Sequence, residues 1–139
     1  MLFRFLRYLL RSTNAHGIHS PFVFDLYTKT IARRTGEPEF VEIEALRRRL
    51  LSDRRKIRIR DFGAGSKVNP NPERSLSDIA RNSEKPRRIA RLLFRLARRF
   101  QPQTIFDLGT SLGLTTLYFA KATPQARILT FEGCPETAA

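Results

Sequence analysis

The sequence predicts an α/β protein: one βαβ unit within residues 101–139, preceded by a mainly helical N-terminal arm. Three observations carry this reading. Thr104-Ile105-Phe106-Asp107-Leu108 is a short apolar run of the kind a buried parallel strand presents. A glycine-flanked turn leads from it into an apolar stretch at 114–122, read as a helix, and residues 126–132 read as a second strand after the Pro124-Gln125 turn. Strand, helix and strand fit within about 30 residues, the size of one βαβ unit, whose two strands lie parallel in a sheet.

The arm reads element by element. Leu2, Phe5, Leu6, Leu9 and Leu10 recur at helical spacing, with Arg4, Arg7 and Arg11 on the opposite face. Such a short basic amphipathic helix can lie on an anionic membrane surface. The more ordinary use of about two and a half turns is to dock on the rest of the chain, and docking is the expectation here. Gly17 and Ser20-Pro21 break that helix and start another, with Ser20 as N-cap and Pro21 at the first helical position. His16 and His19 stand three apart without carboxylates or thiols beside them, short of the three or four ligands a zinc ion needs, so they read as capping and packing residues.

Residues 40–51 suit a charged amphipathic helix, ended by the polar run Asp53-Arg54-Arg55-Lys56. Residues 57–62 alternate with a period of two, as a short strand does, and residues 63–72, rich in glycine, proline and asparagine, read as loop. Two helices are expected next. One covers 75–82, capped by Ser75 or Ser77, and one covers 85–100, with Pro86 in its first turn and Ile89, Leu92, Leu93, Leu96, Ala97 and Phe100 on its apolar face. The expected division is an arm over 1–84 and a ligand-binding domain from 85.

Charge is unevenly placed. The chain holds 26 basic and 13 acidic side chains, of which 24 and 10 fall in residues 1–100. A field of that sign attracts nucleic acid, anionic membrane or an acidic substrate; solvated, arginine-rich helix faces are the more ordinary source of it, since net charge alone is weak evidence for a partner. The arginines at 87, 88, 91, 95, 98 and 99 are what a basic nucleic-acid-binding module would use. The single cysteine, Cys134, forms no intramolecular disulfide, and a lone thiol without a secretory leader fits a cytoplasmic location. The early apolar stretch, broken by Arg4 and Arg7, is too short to span a bilayer.

The turn between the two C-terminal strands carries the chemistry. Ligands of open α/β sheets bind beyond the carboxyl ends of the strands, where the following helix offers unpaired N–H groups. The spacing is Gly109-x-x-x-Gly113. A dinucleotide fingerprint would place glycine at 111 and 114, where the chain has Ser111 and Leu114; a phosphate-binding P-loop would follow Gly113 with lysine, not Leu114. Glu132 closes the second strand, where an acid accepts hydrogen bonds from the vicinal hydroxyls of a ribose. A ligand with a ribose and no pyrophosphate suits this combination better than a dinucleotide.

Phe106-Asp107-Leu108-Gly109-Thr110-Ser111-Leu112-Gly113 resembles motif I of class I S-adenosylmethionine (SAM)-dependent methyltransferases, and Ile128-Leu129-Thr130-Phe131-Glu132-Gly133 resembles their motif II. The wording is similar to small O-methyltransferase-like members. His16-Gly17-Ile18-His19-Ser20-Pro21-Phe22-Val23-Phe24 and Asp61-Phe62-Gly63-Ala64-Gly65-Ser66 resemble the N-terminal arm of an uncharacterised bacterial group of them. The resemblance implies a Rossmann-like fold. It also implies that Gly109, Thr110, Ser111 and Gly113 line the methionine end of SAM, with backbone N–H groups near its carboxylate. Asp107 would order the loop and reach the amino group, Glu132 would hold the ribose, and Gly133 would give the adenine room. The methyl acceptor is left open, an RNA included, and no catalytic residue or metal ligand is assigned. The Asp61–Ser66 segment imitates motif I but runs into Asn-Pro-Asn-Pro instead of a helix, so it reads as a loop of the arm.

A doubly wound sheet has about five or six strands, and two are recognisable here. Further strands and the acceptor site are therefore expected beyond Ala139 in a longer protein. This stretch alone is expected to be inactive and prone to associate through its strand edges.

Overall fold

The computed structural model describes residues 2–12, 15–33, 40–60 and 71–138, and of His16 the backbone alone. The Asp61–Ser66 loop of the sequence reading lies outside the described residues. The chain divides into two compact units, Met1–Thr35 and Gly36–Ala139. The division expected after residue 84 falls inside the second unit.

In the first unit, α1 covers Leu2–Arg11, a single 3-10 turn covers Ala15–Gly17 and α2 covers Pro21–Leu26. Ser20 caps α2 as its sequence position predicts: its Oγ accepts the Val23 N–H at 3.3 Å, with Pro21 next in line. The helix then widens into a π turn over Tyr27–Ile31, where the Ala32 N–H reaches back to the Tyr27 carbonyl at 2.8 Å. Within this unit α1 contains no buried residue.

The second unit runs α3 (Val41–Ser52), β1 (Lys56–Arg58), β2 (Glu73–Ser75), α4 (Leu76–Asn82), α5 (Arg87–Phe100), β3 (Thr104–Leu108), α6 (Leu114–Ala122), β4 (Arg127–Phe131) and α7 (Pro135–Ala138). It is an α/β unit with two small sheets. β1 and β2 pair antiparallel, Ile57 opposite Arg74, and β3 and β4 pair parallel, Phe106 opposite Leu129. The β2 strand was not expected, since Glu73-Arg74-Ser75 has no apolar alternation; its place is set by pairing, extended by the Ile59 N–H on the Pro72 carbonyl at 2.7 Å. β1 ends at Arg58, before the described end of the strand expected over 57–62, of which residues 61 and 62 lie outside the described residues. Ser75 is the cap of α4, its Oγ accepting the Asp78 N–H at 3.1 Å, while Ser77 bonds to Ser75 through its hydroxyl.

The core lies among three helices. Phe40 and Ile43 at α3, Ala90, Phe94 and Ala97 on α5, and Leu114, Tyr118 and Ala122 on α6 form one buried cluster. Phe40 meets Phe94 edge-on at 4.8 Å and Tyr118 at 5.0 Å, arrangements that suit the ring quadrupoles. The α5 face therefore differs from the expected one. The stripe Ala90-Phe94-Ala97 is inside, whereas Ile89 and Phe100 are exposed and Leu92, Leu93 and Leu96 are half-buried. Small alanines let the helices approach, and the charge on α3 decides the rotation. Glu44, buried on α3, forms an ion pair with Arg87 at 2.5 Å, and its Oε1 accepts from Arg91 at 3.1 Å and from the Tyr118 hydroxyl at 2.9 Å. Arg47, also buried, donates to the Lys85 carbonyl at 3.0 Å.

Helices cover one face of the β3–β4 pair. Ile105 and Asp107 are half-buried, while Phe106, Leu108 and Phe131 are exposed, with the rings of Phe106 and Phe131 stacked at 6.3 Å. A strand buried on both faces was expected from the apolar run. Among the described residues, the second face has no covering layer.

Candidate functional site at the glycine turn

The parallel ladder does not stop at Leu108. The N–H groups of Gly109 and Thr110 both donate to the Phe131 carbonyl, at 2.8 and 3.2 Å, and so carry the turn past the end of β4. The backbone then adopts positive φ three times, at Gly109 (+80°), Ser111 (+52°) and Gly113 (+74°). A Cβ at Gly109 or Gly113 would meet nothing within 4 Å, so backbone conformation, not crowding, is what calls for glycine there. Gly113 caps α6: its N–H donates to Thr110 at 3.0 Å and its carbonyl accepts the Leu117 N–H at 3.1 Å.

Two carboxylates hold the middle of the turn. Glu132 Oε2 accepts the Ser111 N–H at 2.7 Å, and its Oε1 accepts the Cys134 N–H at 2.8 Å. Glu84, from the α4–α5 connection, accepts the Leu112 N–H at 2.8 Å. Each N–H from Gly109 to Gly113 thus has an acceptor within the chain. A carboxylate on an incoming ligand could use the Ser111 or Leu112 N–H only by displacing Glu132 or Glu84. This alters the expected division of labour at the turn. Asp107 is turned toward α6, its Oδ2 accepting the Thr116 hydroxyl at 2.5 Å.

Glu84 was not singled out from the sequence. It sits in Ser83-Glu84-Lys85, 28 residues before its partner Leu112, and no local pattern signals such a pairing. Its carboxyl is held above the usual carboxylate range. Burial is the main cause, opposed by the hydrogen bonds from Leu112 and Ser111 and by the Arg47 charge, and assisted by the charge of Asp107.

Cys134 is buried beside the same turn. Burial works against its ionisation, yet hydrogen bonds from Thr137 and from the Arg60 and Glu136 backbone together draw the thiol below its ordinary range. β1 is tied to the same region, the Arg58 N–H donating to Glu136 Oε2 at 2.6 Å.

Two clefts meet at Ser111, Glu132 and Thr137. One, about 760 Å³, also takes in Thr110, Gly113 and the apolar side chains Leu46, Leu50 and Ile57; the other, about 310 Å³, includes Gly133, Arg60, Arg74 and Cys134. Both fall in the size range of small-molecule sites, which combine apolar walls with a few polar groups. Of the expected site residues, Thr110, Ser111, Gly113, Glu132 and Gly133 line these clefts; Asp107 and Gly109 shape the turn behind them. Among the described residues, no three His, Cys, Asp or Glu side chains are gathered as a metal ion would require, and no helix is long and apolar enough to cross a membrane.

The basic helix α5 is partly committed inside the fold. Arg87 and Arg91 are paired with Glu44, and the Arg98 guanidinium lies 5.7 Å from the Phe94 ring centre. In comparisons with known proteins, the chain matches no family model, no curated protein and no solved structure.

Proposed function

We propose that this chain carries the cofactor-binding βαβ unit of a SAM-dependent methyltransferase with a Rossmann-like fold. One observation supports it above the others: the parallel β3–turn–α6–β4 unit places Glu132 at the Ser111 N–H, 2.7 Å away, on the rim of a cleft at the carboxyl ends of the strands. An adenosyl ribose could share the Glu132 carboxylate, since each of its oxygens retains acceptor capacity after one backbone bond. Asp107 and Glu132 give the turn a negative character suited to the ammonium and sulfonium groups of SAM and unsuited to a pyrophosphate. SAM when bound supplies the activated methyl group; the protein's part is to hold and orient it. The acceptor, O-linked or on RNA, is not defined by this cleft.

Isothermal titration with S-adenosylhomocysteine tests the reading. The chain is expected to bind it, and Glu132→Gln is expected to weaken binding by about ten-fold or more, in line with loss of a charged hydrogen-bond acceptor. Circular dichroism of the variant checks that the fold is retained. No binding by the wild type, or equal binding by a folded Glu132→Gln variant, defeats the proposal. The exposed Phe106, Leu108 and Phe131 face supports the further expectation of self-association, read from the concentration dependence of sedimentation.

A further inference from the structure

The N-terminal unit carries apolar surface that the methyltransferase reading does not use. All ten residues of α1 are exposed, and the apolar and aromatic ones, Leu2, Phe3, Phe5, Leu6, Tyr8, Leu9 and Leu10, lie between 48% and 87% accessible. At 3.6 residues per turn, Arg4, Arg7 and Arg11 fall within an arc of about 60°, while Phe5, Leu9, Leu2, Leu6, Leu10 and Phe3 sweep the opposite arc of about 160°. Tyr8 stands at the border between the two.

Charge narrows what can cover this helix. Residues 1–35 contain six basic side chains and one acidic, Asp25, and Asp25 is paired with Lys29 at 2.5 Å. A second copy of the helix could cover the apolar arc, but it would leave the arginines of both copies facing outward with no acid on α1 to meet them. A nucleic acid would engage the arginines and leave the wide apolar arc in water. A lipid surface with anionic headgroups satisfies both arcs at once: the apolar arc enters the acyl boundary and the arginines reach the headgroups. Exposed Phe22, Val23 and Tyr27 add apolar surface to the same compact unit.

We propose that α1 is an interfacial helix that binds the chain to anionic membrane surfaces. Each arginine near such a surface is worth about five-fold in affinity, so the three together supply on the order of 100-fold. Co-sedimentation of the full chain with phosphatidylcholine vesicles containing about 30% phosphatidylserine is the test. Binding is expected to the anionic vesicles, to fall steeply with added salt, and to be far weaker to phosphatidylcholine alone. Leu6→Ser with Leu9→Ser is expected to abolish it, and Arg4→Ala, Arg7→Ala and Arg11→Ala together to reduce it on the order of 100-fold. These exposed positions leave the folded second unit in place, checked by its circular dichroism. Absence of binding to anionic vesicles overturns the proposal, as does binding indifferent to the Leu6 and Leu9 changes. Salt-sensitive binding of single-stranded RNA that survives the Leu6 and Leu9 changes, without vesicle binding, assigns the arginines to nucleic acid instead and equally overturns it.

Discussion

Helices α1 and α5 are both arginine-rich and both amphipathic, yet one buries nothing and the other builds the core. The difference lies in what each meets. α5 finds Phe40 and Tyr118 for its Phe94 ring and a buried carboxylate, Glu44, for Arg87 and Arg91. α1 has no acidic residue in its own sequence and contributes no side chain to a core. Amphipathic pattern makes a helix ready to bury a face, and a partner with complementary shape and charge determines whether it does. A helix as short as α1 gains little from propensity alone, so its apolar face dominates its behaviour.

The largest test of this contrast is Glu44→Ala. Its removal leaves Arg91 and the Tyr118 hydroxyl without their buried acceptor, and breaking a buried ion pair costs about 3–5 kcal/mol. Urea denaturation should show a loss of that size in the second unit, and a change under about 1 kcal/mol would mean the network is not what orients α5. A smaller effect is expected at Glu84, just before α5, where burial opposes the charge. Because its carboxyl titrates above the ordinary range, the folded chain binds that proton more readily than the unfolded chain. Its contribution to stability therefore grows as pH falls through that raised range and is diminished above it. Glu84→Gln keeps an acceptor for the Leu112 N–H and removes the titration. Relative to wild type it should be at its most stable above that raised range and lose the advantage as pH falls below the ordinary carboxylate range, in denaturation curves on either side of it. The smallest effect is expected from Leu6→Ser on α1, within about 0.5 kcal/mol, as for a surface substitution. A larger loss would show that the α1 face supports the fold.

Residue pattern was a good guide wherever one element could be judged alone. Ser20 and Ser75 cap the helices their positions suggested, α6 covers the expected residues, and the strands around Phe106 and Leu129 pair parallel. It was a poor guide wherever two distant segments share a decision. Glu73-Arg74-Ser75 is a strand because Lys56-Ile57-Arg58 lies beside it. The rotation of α5 follows Glu44, more than forty residues earlier, so Ala90 and Phe94 enter the core in place of Ile89 and Phe100. At the site, the residues of the turn and Glu132 were legible from spacing, but their use of one another was not. Glu84 escaped notice because its partner is an N–H group, which no side-chain pattern displays.

By itself, then, the sequence determined the capped helices, the β3–β4 strands, the α/β class and the position of the glycine turn, because helix caps, period and positive-φ glycines act over a few neighbouring residues. Only the tertiary structure decided that the turn's N–H groups are held by Glu84 and Glu132, that one face of α5 is inside, and that α1 has its apolar side chains in solvent. Those outcomes depend on burial and charge pairing between segments far apart in the chain, where the cost of an unpaired group is set by its surroundings and not by its neighbours in sequence.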